Sequence, residues 1–203
     1  MTPSVTRHER RKQRTRRRLL DAARRVITVR GYEDTGILDI TEEADVSKGT
    51  FYLHFRDKED LTRTLIMEGF KELRARLDAV ISGERNPEHI ARALQVVFRY
   101  AADNRDLFRI MLGRQTSAEL NLMALNYFAD VVEDILARSG ITAETLPYPP
   151  ALLAQFIAGA GVRLGLWWLE DDRRLSPDEI SEITYRLLTE GVLSALPPDT
   201  AGA

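Results

Sequence analysis

The chain of 203 residues contains no cysteine. Disulfide bonds, thiolate nucleophiles and thiolate metal ligands are therefore excluded. Histidine is scarce as well, and His8, His54 and His89 show no spacing typical of a metal site or of a nucleophile paired with a base. An alternation of apolar and polar residues typical of a strand is also missing, as is any internal repeat. The sequence thus predicts no metal and no cofactor, and it supports an enzyme poorly.

The chain also has almost no net charge, since it contains 29 basic and 31 acidic residues. The distribution of these charges is uneven. Residues 1–30 contain eleven Lys or Arg and two Asp or Glu, whereas residues 64–203 contain fourteen basic and twenty acidic residues. A basic end on an acidic body indicates an anionic partner at one end only.

The basic N-terminal run is not followed by the apolar segment typical of a secretory signal, which favours the cytoplasm. One segment, residues 151–169, is apolar apart from Gln155, Arg163 and its glycines, and its length is close to that of a membrane span. Arg163 near the middle of a spanning helix would cost about 2.5–3.5 kcal/mol. We therefore expect no membrane partner, and we interpret this segment as a helix buried in protein, including a subunit interface.

Residues 37–55 are predicted to form a helix, a three-residue turn and a second helix. Ser47 is a good N-cap for the second helix. Phe51 and Phe55 are four residues apart and share one face of that helix, which can anchor it to a core. Asp45 lies in the turn, and Asp tolerates the left-handed conformation that such a corner often needs. This arrangement is the helix-turn-helix, whose second helix enters the major groove of DNA.

Residues 31–61, with the sequence GYEDTGILDITEEADVSKGTFYLHFRDKEDL, resemble the N-terminal DNA-binding signature of the TetR family of bacterial transcriptional regulators. The resemblance covers about the first third of the chain. The family usually has Thr-Thr where this chain has Thr35 and Gly36, and it usually has Gly at the turn position of Asp45. The resemblance implies seven DNA-binding residues, of which three lie nearest the bases (Lys48, Gly49 and Thr50) and four bind phosphates (Thr35, Tyr52, His54 and Lys58).

The expected fold is all-α with about nine helices, in which a three-helix DNA-binding domain precedes a helical ligand-binding and dimerisation domain. Glycines at 31 and 140 and the capping sequence SPDE at 176–179 mark helix ends. Predicted domains are a basic flexible arm (1–10), the helix-turn-helix domain (11–56), a connecting helix (57–82) and the ligand-binding and dimerisation domain (83–203), with the linker 82–85 as the main boundary. The first helix should span about 11–30 and the last about 177–196. We expect the arginines of the first helix to lie near the DNA backbone rather than on an ordinary solvated face.

Aromatic residues and Met in the C-terminal two thirds could line an apolar cavity, although plain core is the simpler interpretation of each one alone. Arginines on mostly apolar helices need partners. For Arg99, Arg109 and Arg163 the alternatives are an internal carboxylate such as Glu133 or Glu170, an anionic ligand, or water at a subunit edge. The predicted ligand-binding residues are Phe98, Arg99, Phe108, Met111, Phe128, Arg163 and Trp167.

Gly159, Gly161 and Gly165 would allow two helices to approach each other closely. The resemblance implies dimerisation through the last two helices as a four-helix bundle. The predicted interface residues are Phe156, Gly161, Trp168, Ile183 and Leu187.

The function that the resemblance implies is a homodimeric repressor of transcription. It would bind a pseudo-palindromic operator with half-sites about 34–36 Å apart, and a small-molecule effector would release it. Two alternatives remain open: a ligand-independent DNA-binding protein that organises the chromosome and, more remotely, a helical enzyme.

Overall fold

The computed structural model describes residues 6–81, 86, 88–113, 116–170 and 175–191. Within these ranges the chain forms helices and no strands, which confirms the all-α prediction. The nine described helices are α1 (Arg7–Arg30), α2 (Ile37–Glu43), α3 (Lys48–Tyr52), α4 (Lys58–Val80), α5 (Glu88–Asp103), α6 (Arg105–Leu112), α7 (Ala118–Arg138), α8 (Pro150–Glu170) and α9 (Pro177–Thr189).

The first helix begins four residues earlier than expected. The Thr6 hydroxyl accepts a hydrogen bond from the Glu9 N–H at 3.2 Å, and the Glu9 carboxylate accepts one from the Thr6 N–H at 2.7 Å. This capping box satisfies two backbone donors and starts the helix at Arg7. The predicted flexible arm is therefore wrong for residues 7–10, which are helical, while residues 1–5 lie outside the described residues.

Of the other predicted helix ends, those at Gly31, Gly140 and Ser176 are confirmed, whereas the end of the last helix is wrong. Gly31 and Gly140 follow α1 and α7 with φ of 87° and 90°, and the capping box at Ser176 and Glu179 starts α9. The last helix ends at Thr189, so the predicted end at residue 196 is too late. Residues 192–203 and the predicted linker 82–85 lie outside the described residues.

The chain divides into two compact units. Unit 1 comprises Met1–Phe70 and Asp106–Asn121. In it α1 packs on α2, and α2 packs on α3. Its buried apolar side chains include Phe51 and Phe55, which were predicted from their spacing, and also Leu19, Leu20, Ile40, Leu61 and Ile66.

Unit 2 comprises Lys71–Arg105 and Leu122–Ala203. Here α5 packs chiefly against α9 and less extensively against α8. The boundary between the two units falls inside α4, between Phe70 and Lys71. The domain limits that the sequence suggested at residues 57 and 83 remain predictions. The core of unit 2 contains Leu73, Leu77, Phe98, Tyr100, Phe128, Trp168 and Ile180.

Helix α8 is buried only in part among the described residues, and its interpretation as part of a subunit interface stays a prediction. Its buried residues are Ala154, Ala158, Trp168 and Leu169. By length and composition alone, α8 is the single helix in the described part of the chain that could cross a membrane. Nine of the 21 residues of α8 are exposed.

Candidate nucleic-acid interface

Helix α3 is short, and its start is determined by one side chain. The Ser47 hydroxyl accepts a hydrogen bond from the Thr50 N–H at 3.1 Å and lies 2.9 Å from the Thr50 hydroxyl. The predicted N-cap is thus confirmed. The cap satisfies an N–H that has no partner within the helix, so a helix of five residues can begin at Lys48.

Two phenylalanines hold this helix to the core of unit 1. Phe51 and Phe55 are buried, with ring centroids 5.9 Å apart. The Tyr52 ring packs edge-on against Phe51 at 5.4 Å but remains half exposed. Because the apolar side is fixed inward, Lys48, Gly49 and Tyr52 are presented to the outside.

The turn before α3 has the conformation that the sequence predicted. Asp45 has φ of 49°, in the left-handed region. Arg18 of α1 donates to the Asp45 carbonyl oxygen at 3.2 Å and to its carboxylate at 3.3 Å. These two contacts tie the turn to α1 and help to set the direction in which α3 projects.

Two of the predicted phosphate ligands are already engaged within unit 1. The Thr35 hydroxyl is buried and donates its one proton to the Gly31 carbonyl oxygen at 2.6 Å. The Lys58 ammonium donates to the Tyr32 carbonyl oxygen at 2.6 Å and lies 4.2 Å from the centre of the Tyr32 ring. A phosphate contact by the Thr35 hydroxyl would require its hydrogen bond to break, whereas Lys58 has three N–H donors.

Tyr32 itself is buried beneath Lys58. Burial, followed by the nearby carboxylates of Glu59, Glu33 and Asp57, raises the pKa of its hydroxyl to about 12. The phenol therefore stays neutral at physiological pH. Its contacts with Lys58 fix the loop between α1 and α2 against the start of α4.

His54 lies between the core and the surface. Its Nδ1 atom is buried without a hydrogen-bond partner among the described residues. Burial, with Lys12 and Arg16 nearby, lowers the pKa of the imidazole. A neutral ring is thus favoured, and any phosphate contact would use an N–H donor rather than a full positive charge.

Leu53 is an exposed residue that the sequence analysis missed. Its side chain is 76% exposed, directly after Tyr52. The signal was present in the spacing, because Phe51 and Phe55 occupy the inward face and leave residue 53 off that stripe. An apolar side chain at this point could contact a thymine methyl group.

The predicted ligand-binding residues are divided between the two units, and their role in ligand binding stays a prediction. Phe98 and Phe128 are buried in unit 2, whereas Phe108 and Met111 are buried in unit 1. Arg163 and Trp167 are exposed on α8. Arg99 forms an exposed ion pair with Asp178 at 2.8 Å, a partner other than the predicted Glu133 or Glu170.

One residue that was predicted to lie at the dimer interface, Trp168, is instead buried. Trp168 is 5% exposed, packs edge-on against Phe98 at 5.6 Å, and donates from its indole N–H to the Leu175 carbonyl oxygen at 2.8 Å. It therefore belongs to the core of unit 2. Phe156 is 66% exposed and Ile183 is 41% exposed, whereas Gly161 and Leu187 are half-buried.

Two family models match the chain. Residues 19–65 match bacterial regulatory proteins of the tetR family, and residues 88–190 match a transcriptional regulator C-terminal region. The first match spans all seven predicted DNA-binding residues, and the second covers about half of the chain. The chain belongs to the TetR family of bacterial regulatory proteins. It is a DNA-binding transcriptional regulator.

Two curated relatives of this TetR-family chain match along most of their length. It is 26% identical over 183 residues to the fatty acid metabolism regulator protein of Bacillus subtilis (strain 168), covering 86% of this chain and 93% of the relative. It is 27% identical over 192 residues to the transcriptional activator FasR of Mycolicibacterium smegmatis, covering 87% and 82%.

Solved structures share the fold. The regulator FadR from Bacillus subtilis in complex with stearoyl-CoA superposes with a TM-score of 0.73 at 26% identity, covering 86% of this chain and 98% of that one. A TetR-family regulator from Syntrophomonas wolfei has a TM-score of 0.75 at 18% identity, covering 92% and 98%. The second likeness shows the TetR-family fold alone.

The described ranges contain no group of three or more His, Asp or Glu side chains that could hold a metal ion. The features that this TetR-family chain does present are the polar surface of α3 and the apolar surface of α8.

Proposed function

We propose that this regulator is a homodimeric repressor that binds a pseudo-palindromic operator and is released by a long-chain acyl-CoA. The observation that carries the DNA-binding part is the exposure of Lys48, Gly49 and Tyr52 on a helix anchored by buried Phe51 and Phe55. A regulator of this kind acts by binding rather than by turnover, in the cytoplasm and without a membrane.

Each exposed group on α3 has a role in this proposal. Lys48 and Thr50 reach base edges, where Lys can donate to guanine and Thr can bond to either base type. Gly49 lets the backbone approach the groove closely. Tyr52 and His54 donate to phosphates, which position the helix without reading sequence. Thr35 and Lys58 support the loop beneath them, and Lys58, which also donates to the Glu33 carbonyl oxygen at 3.5 Å, keeps one N–H for a phosphate.

The dimer interface is proposed on the exposed stripe of α8. Leu152, Phe156, Gly159, Arg163 and Trp167 recur at helical spacing and are exposed. A methyl group added at Gly159, Gly161 or Gly165 would meet no neighbouring side chain or other helix within 4 Å, so a second helix has room to approach. With Ile183 and Leu187 of α9, this surface fits the same surface of a second copy about a two-fold axis.

Two relatives support the choice of effector. One carries the name fatty acid metabolism regulator, and one solved neighbour is a complex with stearoyl-CoA. An acyl chain needs an apolar interior, for which buried Phe98 and Phe128 of unit 2 remain candidates. The effector would release DNA only as far as it binds the DNA-free state more tightly than the DNA-bound state.

The first experiment is selection of bound fragments from a random DNA pool at two salt concentrations. Enrichment of one inverted repeat, with half-site centres about 10–10.5 base pairs or a multiple apart, supports a dimeric operator-specific regulator. Salt-sensitive binding without an enriched sequence would instead favour a ligand-independent protein that organises the chromosome.

The second experiment adds stearoyl-CoA to the complex with the selected duplex. Release by stearoyl-CoA, but not by coenzyme A or stearate alone, supports an acyl-CoA effector. No change in affinity for the duplex would remove this effector from the proposal while leaving DNA binding intact. A transcriptional reporter under the selected operator then distinguishes repression from activation.

A further inference from the structure

The first two turns of α1 contribute nothing to the core. Residues 7–14 are all exposed, and the first fully buried side chain of the helix is Leu19. These turns are helical because of the Thr6–Glu9 capping box and a run of residues with good helix propensity. Because these two turns extend beyond the part of α1 that packs in the core, their side chains are available to a binding partner.

The arginines of α1 differ in whether a carboxylate neutralises them. Carboxylate partners are present for the arginines at positions 16, 17, 18, 25 and 30. In the part of the chain that the structure describes, Arg7, Arg11 and Arg14 have no hydrogen-bond or ion-pair partner. Uncompensated positive charge is therefore concentrated in the first turns.

These arginines border a groove. Arg7, Arg11, Arg14 and Arg18 follow each other at helical spacing on one face, and Arg10 lies beside them. The groove has a volume of about 1270 Å³ and also includes Asp45, Val46 and Thr50. At about 1.5 Å per residue the arginine row is about 16 Å long. It thus begins at the start of α3 and runs outward along α1; we name it the α1 groove.

The charge in the α1 groove is almost entirely of one sign. Its one carboxylate, Asp45, is already bound by Arg18 at 3.3 Å. Like charges three or four residues apart destabilise a helix, so Arg7, Arg11 and Arg14 repel each other in the free protein. An anion in the groove would remove this repulsion. Arg presents a planar fork of donors that matches phosphate oxygens, and a row of five favours a polyanion over a single phosphate.

We propose that the α1 groove binds the sugar–phosphate backbone of duplex DNA beside the major groove that α3 enters. Thr50 lies both on α3 and in the groove lining, so one strand can pass from base readout to the arginine row without a gap. The contacts are independent of sequence and extend the footprint beyond the bases that Lys48 and Thr50 read. This inference rests on the proposed function.

The test compares two triple variants that lose the same charge from the same helix. The groove variant is Arg7→Gln, Arg11→Gln and Arg14→Gln, and the control is Arg17→Gln, Arg25→Gln and Arg30→Gln. Gln keeps helix propensity close to that of Arg. The probe is a duplex of roughly 40 base pairs, about four helical turns, that carries the sequence selected by the unmodified protein. Affinity is measured over a range of salt concentrations.

The expected result is a flatter salt dependence for the groove variant. Each lost phosphate contact changes the slope of log K against log salt by about 0.9, so the six arginines of a dimer account for a change of up to about 5. Hydroxyl-radical protection at the outer phosphates should disappear, while the selected base preference stays the same. The charge-preserving variant Arg7→Lys, Arg11→Lys and Arg14→Lys should restore most of the slope.

The opposite results are equally clear. A slope and footprint equal to those of the control would overturn the inference while leaving operator binding in place. A changed base preference in the groove variant would overturn the claim of sequence independence. If the unmodified protein enriches no sequence yet the groove variant still loses its salt slope on unselected duplex, the groove assignment stands and the operator function falls. Absence of any DNA binding would remove both.

Discussion

The exposed faces of α3 and α8 are opposite in chemistry. On α3 the aromatic Phe51 is buried and the polar Lys48 faces outward, whereas on α8 the aromatic Phe156 is itself exposed. A polar face is stable in water and can exchange water for phosphate. A stripe of large apolar side chains in water marks a surface that associates. The comparison shows that α3 is anchored by a buried aromatic side chain, whereas α8 leaves an aromatic side chain exposed on the proposed dimer interface.

The largest effect should come from placing a charge on the α8 stripe. In a two-fold dimer Phe156→Asp changes both copies, and burying each Phe contributes about 1.5–3 kcal/mol. We therefore expect dimerisation to weaken by about 10²- to 10⁴-fold, and operator affinity to fall with it. Sedimentation velocity over a range of concentrations measures the change.

The matched control is Leu122→Asp, at a residue of α7 that is 58% exposed outside the proposed interface. It should leave the dimer intact. If Phe156→Asp forms a dimer as stable as that of the unmodified protein, the apolar stripe of α8 is not the dimer interface. The proposed difference in role between the exposed faces of α3 and α8 would then be wrong.

The next effect concerns the anchor of α3. Phe51→Ala removes a side chain with no exposed surface and should cost about 3–5 kcal/mol of unfolding free energy. Its exposed neighbour Leu53→Ala should change stability by less than about 0.5 kcal/mol. Urea denaturation of both variants measures the difference. Equal costs would contradict the placement of these two side chains on opposite sides of the helix.

A smaller effect should separate Tyr52 from Lys58. Tyr52 is half exposed and carries no charge, so Tyr52→Ala should weaken operator binding at every salt concentration, with little change in the salt slope and little loss of stability. Lys58 bonds to the Tyr32 carbonyl oxygen and lies over its ring. Lys58→Ala should therefore lower unfolding free energy by about 1 kcal/mol, and the loss of its proposed phosphate contact should reduce the salt slope by about 0.9 per subunit.

Salt-dependent binding and urea denaturation of both variants check this separation, and Lys71→Ala, at an exposed lysine of unit 2, serves as the charge control. A stability loss confined to Tyr52→Ala would reverse the two assigned roles.

The smallest effect should be a pH dependence from His54. Its pKa is lowered by burial and by Lys12 and Arg16, so the unfolded chain binds the proton more readily than the folded one. Stability from this group is fully present above the ordinary pKa of about 6.5 and is lost as the pH falls below it. The unfolding free energy of the unmodified protein should decrease from about pH 7 to about pH 5 more steeply than that of His54→Gln. Parallel pH curves would show that burial of His54 has no energetic consequence.

The DNA-binding helices were well predicted because their signals are local. Ser47 caps a residue three positions away, and Phe51 and Phe55 are both buried as predicted, although α3 ends at Tyr52 and does not include Phe55. Asp45 takes the left-handed conformation that a short polar side chain tolerates. The start of α1 was missed although its signal, Thr6 three residues before Glu9, was also local; the dense positive charge around it suggested a flexible arm instead.

The body of the protein was less predictable. Trp167 and Trp168 are adjacent and chemically identical, yet Trp168 packs on Phe98 while Trp167 remains exposed. Arg99 meets Asp178, which is 79 positions away. Such contacts cannot be predicted from residue spacing within one helix, since they depend on how α5 packs against α8 and α9.

By itself, the sequence determined the helical class, most helix ends and the DNA-binding signature, because caps, turns and amphipathic spacing depend on residues within about four positions. The tertiary structure alone decided which apolar side chains are core and which are surface. It also decided that the Thr35 hydroxyl and Lys58 have partners inside unit 1, and that unpaired arginines of α1 line a groove with Thr50. These outcomes depend on contacts between segments that are distant in sequence, so they are determined only when the helices pack against each other.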